Sequence, residues 1–92
     1  MIEIDGSMGE GGGQIVRTAL GLSLATQRPF RIRNVRANRS TPGLRPQHLT
    51  AVEAAKRIGQ AEVSDVQVGT SAFVFEPTKN GILARLRQDP NL

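Results

Sequence analysis

The stretch "IEIDGSMGEGGGQIVRTALGLSLATQ", residues 2 to 27, decides the reading of the fold. "IEID" alternates apolar and acidic residues and stops at Gly6, the pattern of a short strand. Beyond the glycines, Ile15, Val16, Ala19, Leu20, Leu22 and Leu24 recur on a broad apolar side, while Gln14, Arg17 and Gly21 fall on another, which predicts an amphipathic helix. Between the two, Gly9, Gly11, Gly12 and Gly13 remove side chains where the strand must reverse into the helix. Successive N–H groups at such a turn, followed by free first-turn amides, make an anion-binding concavity; a tight turn without a ligand is the alternative. The spacing is neither GxGxxG nor a Walker loop with its lysine, so both of those nucleotide signatures are excluded.

Outward from this unit, "RPFRIRNVR", residues 28 to 36, puts Phe30 and Ile32 on one strand face and Arg31 and Arg33 on the other, with Val35 breaking the alternation as at a bulge. The polar "ANRSTPG" leads to "RPQHLTAVEAAKRIG", residues 45 to 59, a second helix with Pro46 in its first turn. Leu49, Val52, Ala55 and Ile58 face its core side, and Gly59 is its stop. "EVSDVQV" and "AFVFEP" read as two strands separated by "GTS", with Phe73 and Phe75 alternating into the core. "TKNG" is a turn and "ILARLR", residues 82 to 87, a further short strand before the frayed tail "QDPNL". The expected fold class is α+β, a two-layer sandwich in which a β-α-β-α-β-β unit over residues 1–80 packs two helices on one face of a mixed sheet. Residues 81–92 add the extra strand and the tail. A doubly wound fold needs helices on both faces and more chain.

A chain of 92 residues buries only about 60 to 65% of its extended surface, so stability is expected to be thin. There is no cysteine, hence no disulfide framework and no thiolate metal site, and a reducing compartment fits. No apolar run approaches a membrane span and the N-terminus lacks the regions of a secretory signal, so a cytoplasmic location without membrane contact is expected. The net charge is +4, and ten of the twelve basic residues are arginine, whose planar fork of donors suits phosphate and carboxylate oxygens.

The candidate site residues cluster at the two helix entrances. Glu10, a carboxylate within the glycine loop, suits a divalent cation or a ligand hydroxyl, and Gln14 and Arg17 share a helical face that points back over the loop. Arg36 and Arg39 leave the second strand beside the next helix, where two cations resist packing together without an anion between them. Arg45, Gln47 and His48 stand at the entrance of the second helix, where amides again face outward. Gln47 both donates and accepts, as a nucleobase edge or sugar hydroxyl requires. His48 is the only histidine, and with no second histidine or cysteine to complete a metal set it reads as a core or supporting residue. Three phenylalanines are the only aromatics, too few for a base-stacking platform, so any nucleic-acid contact runs through phosphates and chain ends.

Two blocks then carry a resemblance: "DGSMGEGGGQIVRTALGLSL", residues 5 to 24, and "IRNVRANRSTPGLRPQHLTAVEAA", residues 32 to 55. Together they resemble the beginning of the RNA 3'-terminal phosphate cyclase family, a likeness that covers residues 2 to 77 with no comparable match after residue 80. The resemblance implies use of ATP and a divalent metal (Mg2+ or Mn2+) to convert an RNA 3'-terminal phosphate into a 2',3'-cyclic phosphate, releasing AMP and pyrophosphate through a histidine-AMP and an RNA-adenylate. It implies Glu10 at the metal, Gln14 and Arg17 lining the nucleotide site, Arg36 and Arg39 on the terminal phosphate or activated anhydride, and Gln47 at the pocket edge. Family enzymes are several times longer, repeat the β-α-β-α-β-β unit and carry the adenylated histidine in a C-terminal motif that this sequence lacks, so His48 is not its counterpart. The expectation is part of an enzyme, inactive alone, whose partners are RNA with a 3'-phosphate and the remainder of the cyclase chain. The rival readings are a non-catalytic RNA-processing or ribosome-biogenesis relative, and a ligand-free structural domain that self-associates through its sheet edges.

Overall fold

A computed structural model of the chain describes residues 1–8 and 12–89. The elements are β1 (Ile2–Asp5), α1 (Gly12–Thr26), β2 (Phe30–Arg33), α2 (Pro46–Gly59), β3 (Glu62–Val63), β4 (Phe73–Glu76) and α3 (Ile82–Gln88). The sheet order is β1-β2-β4-β3. β1 lies parallel to β2, and β4 is antiparallel to both β2 and β3.

The register explains the two layers. Ile4, Ile32 and Phe73 form one row across the sheet, and Ile2, Phe30, Phe75 and Val63 a second on the same face. Val16, Ala19, Leu20 and Leu24 of α1 and Val52 and Ala55 of α2 close over them as one core. Phe30 stacks on Phe75 at a centroid distance of 5.7 Å and meets Phe73 edge-on at 5.9 Å; each such ring contributes about 1.5 to 3 kcal/mol by leaving water. The intervening row, Glu3, Arg31 and Val74, faces away, and the exposed Glu3 and Arg31 pair at 3.3 Å. The fold is therefore the expected α+β sandwich, with α1 and α2 on one face of a mixed sheet.

Four local readings change. The strand expected over 62–68 contracts to Glu62–Val63, because the Ser64 hydroxyl takes the Val74 N–H and Thr70 folds back on Gln67, turning the chain out of the sheet. Val35 is fully buried; Asn34 (φ 56°) and Arg36 (φ 52°) flank it in the left-handed region and turn it inward. The left-handed cap of α2 is Gln60 (φ 43°) rather than Gly59, whose missing side chain instead makes room for Leu24. Residues 82–88 are a helix and not a strand. Leucine, alanine and arginine are strong helix formers, and Ala84 is buried while Arg87 donates to the Ala25 carbonyl at the end of α1. Leu22 and Ile58, expected in the core, are exposed. Among the described residues no helix is long and apolar enough to cross a membrane.

Candidate oxyanion-binding site

The parallel pairing of β1 with β2 carries both strand ends to the same edge of the fold, and each leads toward a helix entrance. Asp5 ties the two exits together. Its Oδ1 accepts from the Ser7 N–H (3.0 Å), the Ser7 hydroxyl (2.6 Å) and the Asn34 side-chain amide (3.3 Å). These bonds, the Ser7 hydroxyl foremost, hold the carboxyl below its ordinary value. Beside it the Gly6 N–H donates to the Arg33 carbonyl at 2.6 Å, an approach close enough that a Cβ on Gly6 would lie 3.0 Å from the Val35 Cα.

The connection from β2 to α2 is built around Arg36. Its guanidinium donates to the carbonyls of Thr41 (2.6 Å) and Gly43 (3.2 Å), curling the loop back on itself. The loop is then pinned to the β3–β4 connection, with Val35 donating to Ser71 (3.0 Å), Leu44 to Thr70 (2.9 Å) and Gly69 to Leu44 (2.8 Å). Two carbonyls leave part of the five-donor fork of Arg36 for other acceptors.

At the start of α2, the Arg45 N–H donates to Nδ1 of His48 at 3.0 Å. This is the reciprocal half of a capping box, with a histidine where glutamate or glutamine is usual. The imidazole is only 5% exposed and its Nε2 edge lies against Gly13 in the first turn of α1, where a Cβ would overlap the ring. Both helix entrances thus meet at one ring, and in the first turn of α2, where Pro46 has no N–H, His48 and Leu49 both donate to the Arg45 carbonyl. Burial pushes the His48 pKa down, and the nearby charges of Arg36, Arg17 and Arg45 push it further. The three guanidiniums come from the β2–α2 loop, α1 and the α2 entrance, and among the described residues no carboxylate pairs with any of them. Such a place repels cations and attracts anions.

Of the residues singled out in the sequence, Arg17 and Arg36 are close enough for their charges to act on His48. Gln14 is exposed one turn before Arg17, and Gln47 is exposed beside His48 in the first turn of α2. Arg39 is exposed on the loop, its N–H donating to the Arg36 carbonyl at 3.0 Å. Glu10 lies outside the described residues, among which no three His, Cys, Asp or Glu side chains group to hold a metal. Arg45, which the resemblance assigns no role, belongs to the cluster. The Asp5 brace and the Gly13–His48 contact were also unread, since both join residues roughly 30 positions apart.

The sequence profile of the RNA 3'-terminal phosphate cyclase family matches residues 8–88. The chain belongs to this family. The match runs past residue 80, where the likeness by motif ends, and takes in the whole of α3. The RNA 3'-terminal phosphate cyclase of Caldivirga maquilingensis is 62% identical over 77 residues, 84% of this chain and 22% of the relative. Those of Sulfurisphaera tokodaii (62% over 77 residues, 84% of this chain and 23% of the relative) and Desulfurococcus amylolyticus (58% over 78 residues, 85% and 22%) are similar. The chain thus spans under a quarter of the length of these cyclases. Glu10 and every residue of the cluster at His48 fall within the part matched by the cyclase profile.

Proposed function

We propose that this chain supplies the phosphate-gripping part of an ATP-dependent RNA 3'-terminal phosphate cyclase, acting in the cytoplasm on RNA that ends in a 3'-phosphate. The observation that carries the reading is the meeting of two helix entrances at the buried His48, bonded to the Arg45 N–H on one side and packed on Gly13 on the other, in a region where the charges of Arg36, Arg17 and Arg45 are felt. Donors fixed in place and aimed at phosphoryl oxygens stabilise charge that develops during transfer.

In the proposed reaction AMP passes from ATP to an enzyme histidine, releasing pyrophosphate, and then to the RNA 3'-phosphate. The 2'-oxygen attacks that phosphorus: the new P–O bond forms as the bond to AMP breaks, and the hydroxyl proton leaves to a base. This last step is intramolecular and needs orientation more than force. Arg36 and Arg39 hold the terminal phosphate against rotation, Gln14 and Arg17 line the nucleotide side, and Gln47 reads a hydroxyl or base edge. His48 is buried with Nδ1 already committed to the Arg45 N–H, which supports a nucleophilic histidine outside this chain and an inactive chain when alone. A divalent cation belongs to this reading with Glu10 and phosphate oxygens around it, since Mg2+ commonly takes one or two carboxylates plus substrate phosphates. The described side chains supply no cage for it.

The test is calorimetric titration of the folded chain at low salt with a short RNA ending in 3'-phosphate and with the same RNA ending in 3'-hydroxyl. Tighter binding of the phosphate end, weakened about tenfold by Arg39→Ala, is expected for the loss of one charged contact of roughly 1.4 kcal/mol. Equal affinity for the two ends would overturn the phosphate grip and favour a non-catalytic RNA-processing relative; no affinity for either would favour a structural domain.

A further inference from the structure

We propose that His48 is a positioning residue that locks the first turn of α1 to the entrance of α2, and so sets the separation of the guanidiniums that the two entrances and the loop between them offer to an anion. The inference rests on the oxyanion reading and adds to it the part that fixes its geometry. Because the Arg45 N–H donates to Nδ1, the proton of the neutral ring sits on Nε2. That protonated edge is the one against Gly13. Gly13 takes no left-handed φ, so glycine is required there for room and not for conformation. A flat, two-sided ring in a 5% exposed position has one edge bonded to one helix and the other in contact with the second. No flexible side chain would set their spacing as firmly. Burial first, and then the charges of Arg36, Arg17 and Arg45, disfavour the charged form of this ring, so the spacer does not compete with them for the anion.

A histidine that merely filled the core would behave differently, with loss of anion affinity tracking loss of stability. The two are separated by His48→Gln, whose carboxamide oxygen serves as the third-position partner of a capping box while lacking the rigid edge against Gly13. The probe is inorganic pyrophosphate, titrated by calorimetry at low salt into the full chain, with thermal melting of each variant alongside. Imidazole nitrogen NMR of the wild type gives the tautomer. Expected are the Nε2–H tautomer, nitrogen shifts that move on adding pyrophosphate, and for His48→Gln a melting curve near wild type with an affinity about tenfold lower (~1.4 kcal/mol). Gly13→Ala should weaken binding in the wild type yet add little in a His48→Ala background, where the obstructing ring is gone, a non-additivity that marks direct coupling. Wild-type binding with undiminished affinity in His48→Gln, or independent effects of Gly13→Ala and His48→Ala, would overturn the positioning role alone. A folded wild type that binds no pyrophosphate would overturn the oxyanion reading and the positioning role with it.

Discussion

Replacing Gly43 by alanine tests how the β2–α2 loop is held. Gly43 has φ +86° and a Cβ there would lie 2.8 Å from the Gly69 Cα, with the rest of that peptide nearer still. A side chain in the left-handed region costs about 1 to 2 kcal/mol. Relief of the collision requires the two segments to separate, straining the bonds Leu44 N–H to Thr70 carbonyl (2.9 Å) and Gly69 N–H to Leu44 carbonyl (2.8 Å), each worth roughly 1 kcal/mol. The sum is about 3 kcal/mol, roughly a fifth or more of the ~5 to 14 kcal/mol expected for a domain of this size. Gly69→Ala is the matched control: φ is +92° but a Cβ there meets nothing within 4 Å, so only the conformational cost of about 1 kcal/mol applies. Urea unfolding followed by far-ultraviolet circular dichroism, with equal m values, should separate the variants by ~2 kcal/mol. Because the Gly43 carbonyl accepts from Arg36, Gly43→Ala should also weaken pyrophosphate binding while Gly69→Ala leaves it intact. Two variants of equal stability, or Gly69→Ala the weaker, would refute the reasoning.

Phe75→Ala should cost about 3 to 5 kcal/mol, as for other buried rings, and lower the midpoint of a spectroscopic melt by about 12 °C or more. Arg31→Ala breaks only an exposed pair with Glu3 and should shift stability by less than about 0.5 kcal/mol. The pH dependence has two acid limbs. The folded His48 has a pKa below its ordinary value of about 6.5, so the unfolded chain takes up the proton first; stability is full above that pH and falls as pH drops through the folded value. His48→Gln should flatten this limb in melts run from pH 7.5 to 4.5. Asp5, also depressed, gives stability that is full above its ordinary value and lost as pH falls through the folded one, and Asp5→Asn should remove that lower limb.

Much of this was legible in the sequence because it is periodic. The apolar spacing of α1 and α2, the alternation of Phe30 and Ile32 with Arg31 and Arg33, and the Phe73/Phe75 pair each state a face, and each is found there except at Leu22 and Ile58, which lie exposed beside the helix faces. What escaped depends on tertiary neighbours. Gly59 reads as a helix stop, yet it is glycine because Leu24 presses on it, and the adjacent Gln60 takes the left-handed cap. Residues 82–88 are too few for periodicity to separate strand from helix, and the close fit of Gly81 on Gly59 sets where α3 begins. For the site, helical spacing from Gln14 singled out Arg17 and loop position singled out Arg36. The role of His48 was not readable, because its bond to the α2 cap uses a residue type outside the usual capping pattern and its other contact lies 35 positions away, at Gly13.

The order β1-β2-β4-β3 has a consequence in time. β2 bonds on both sides, but its second partner is separated from it by the whole of α2 and β3, and its ring Phe30 has neither aromatic neighbour until residues 73 to 75 exist. On a ribosome, the chain therefore holds a half-built sheet with one exposed phenylalanine face until β4 has emerged, and closes late and all at once. Sheets assembled from distant segments fold slowly, and exposed apolar strands in the interval invite association. The same delay governs the loop bearing Arg36, which is anchored to the residues just before β4, so the proposed phosphate grip is completed only once the sheet is.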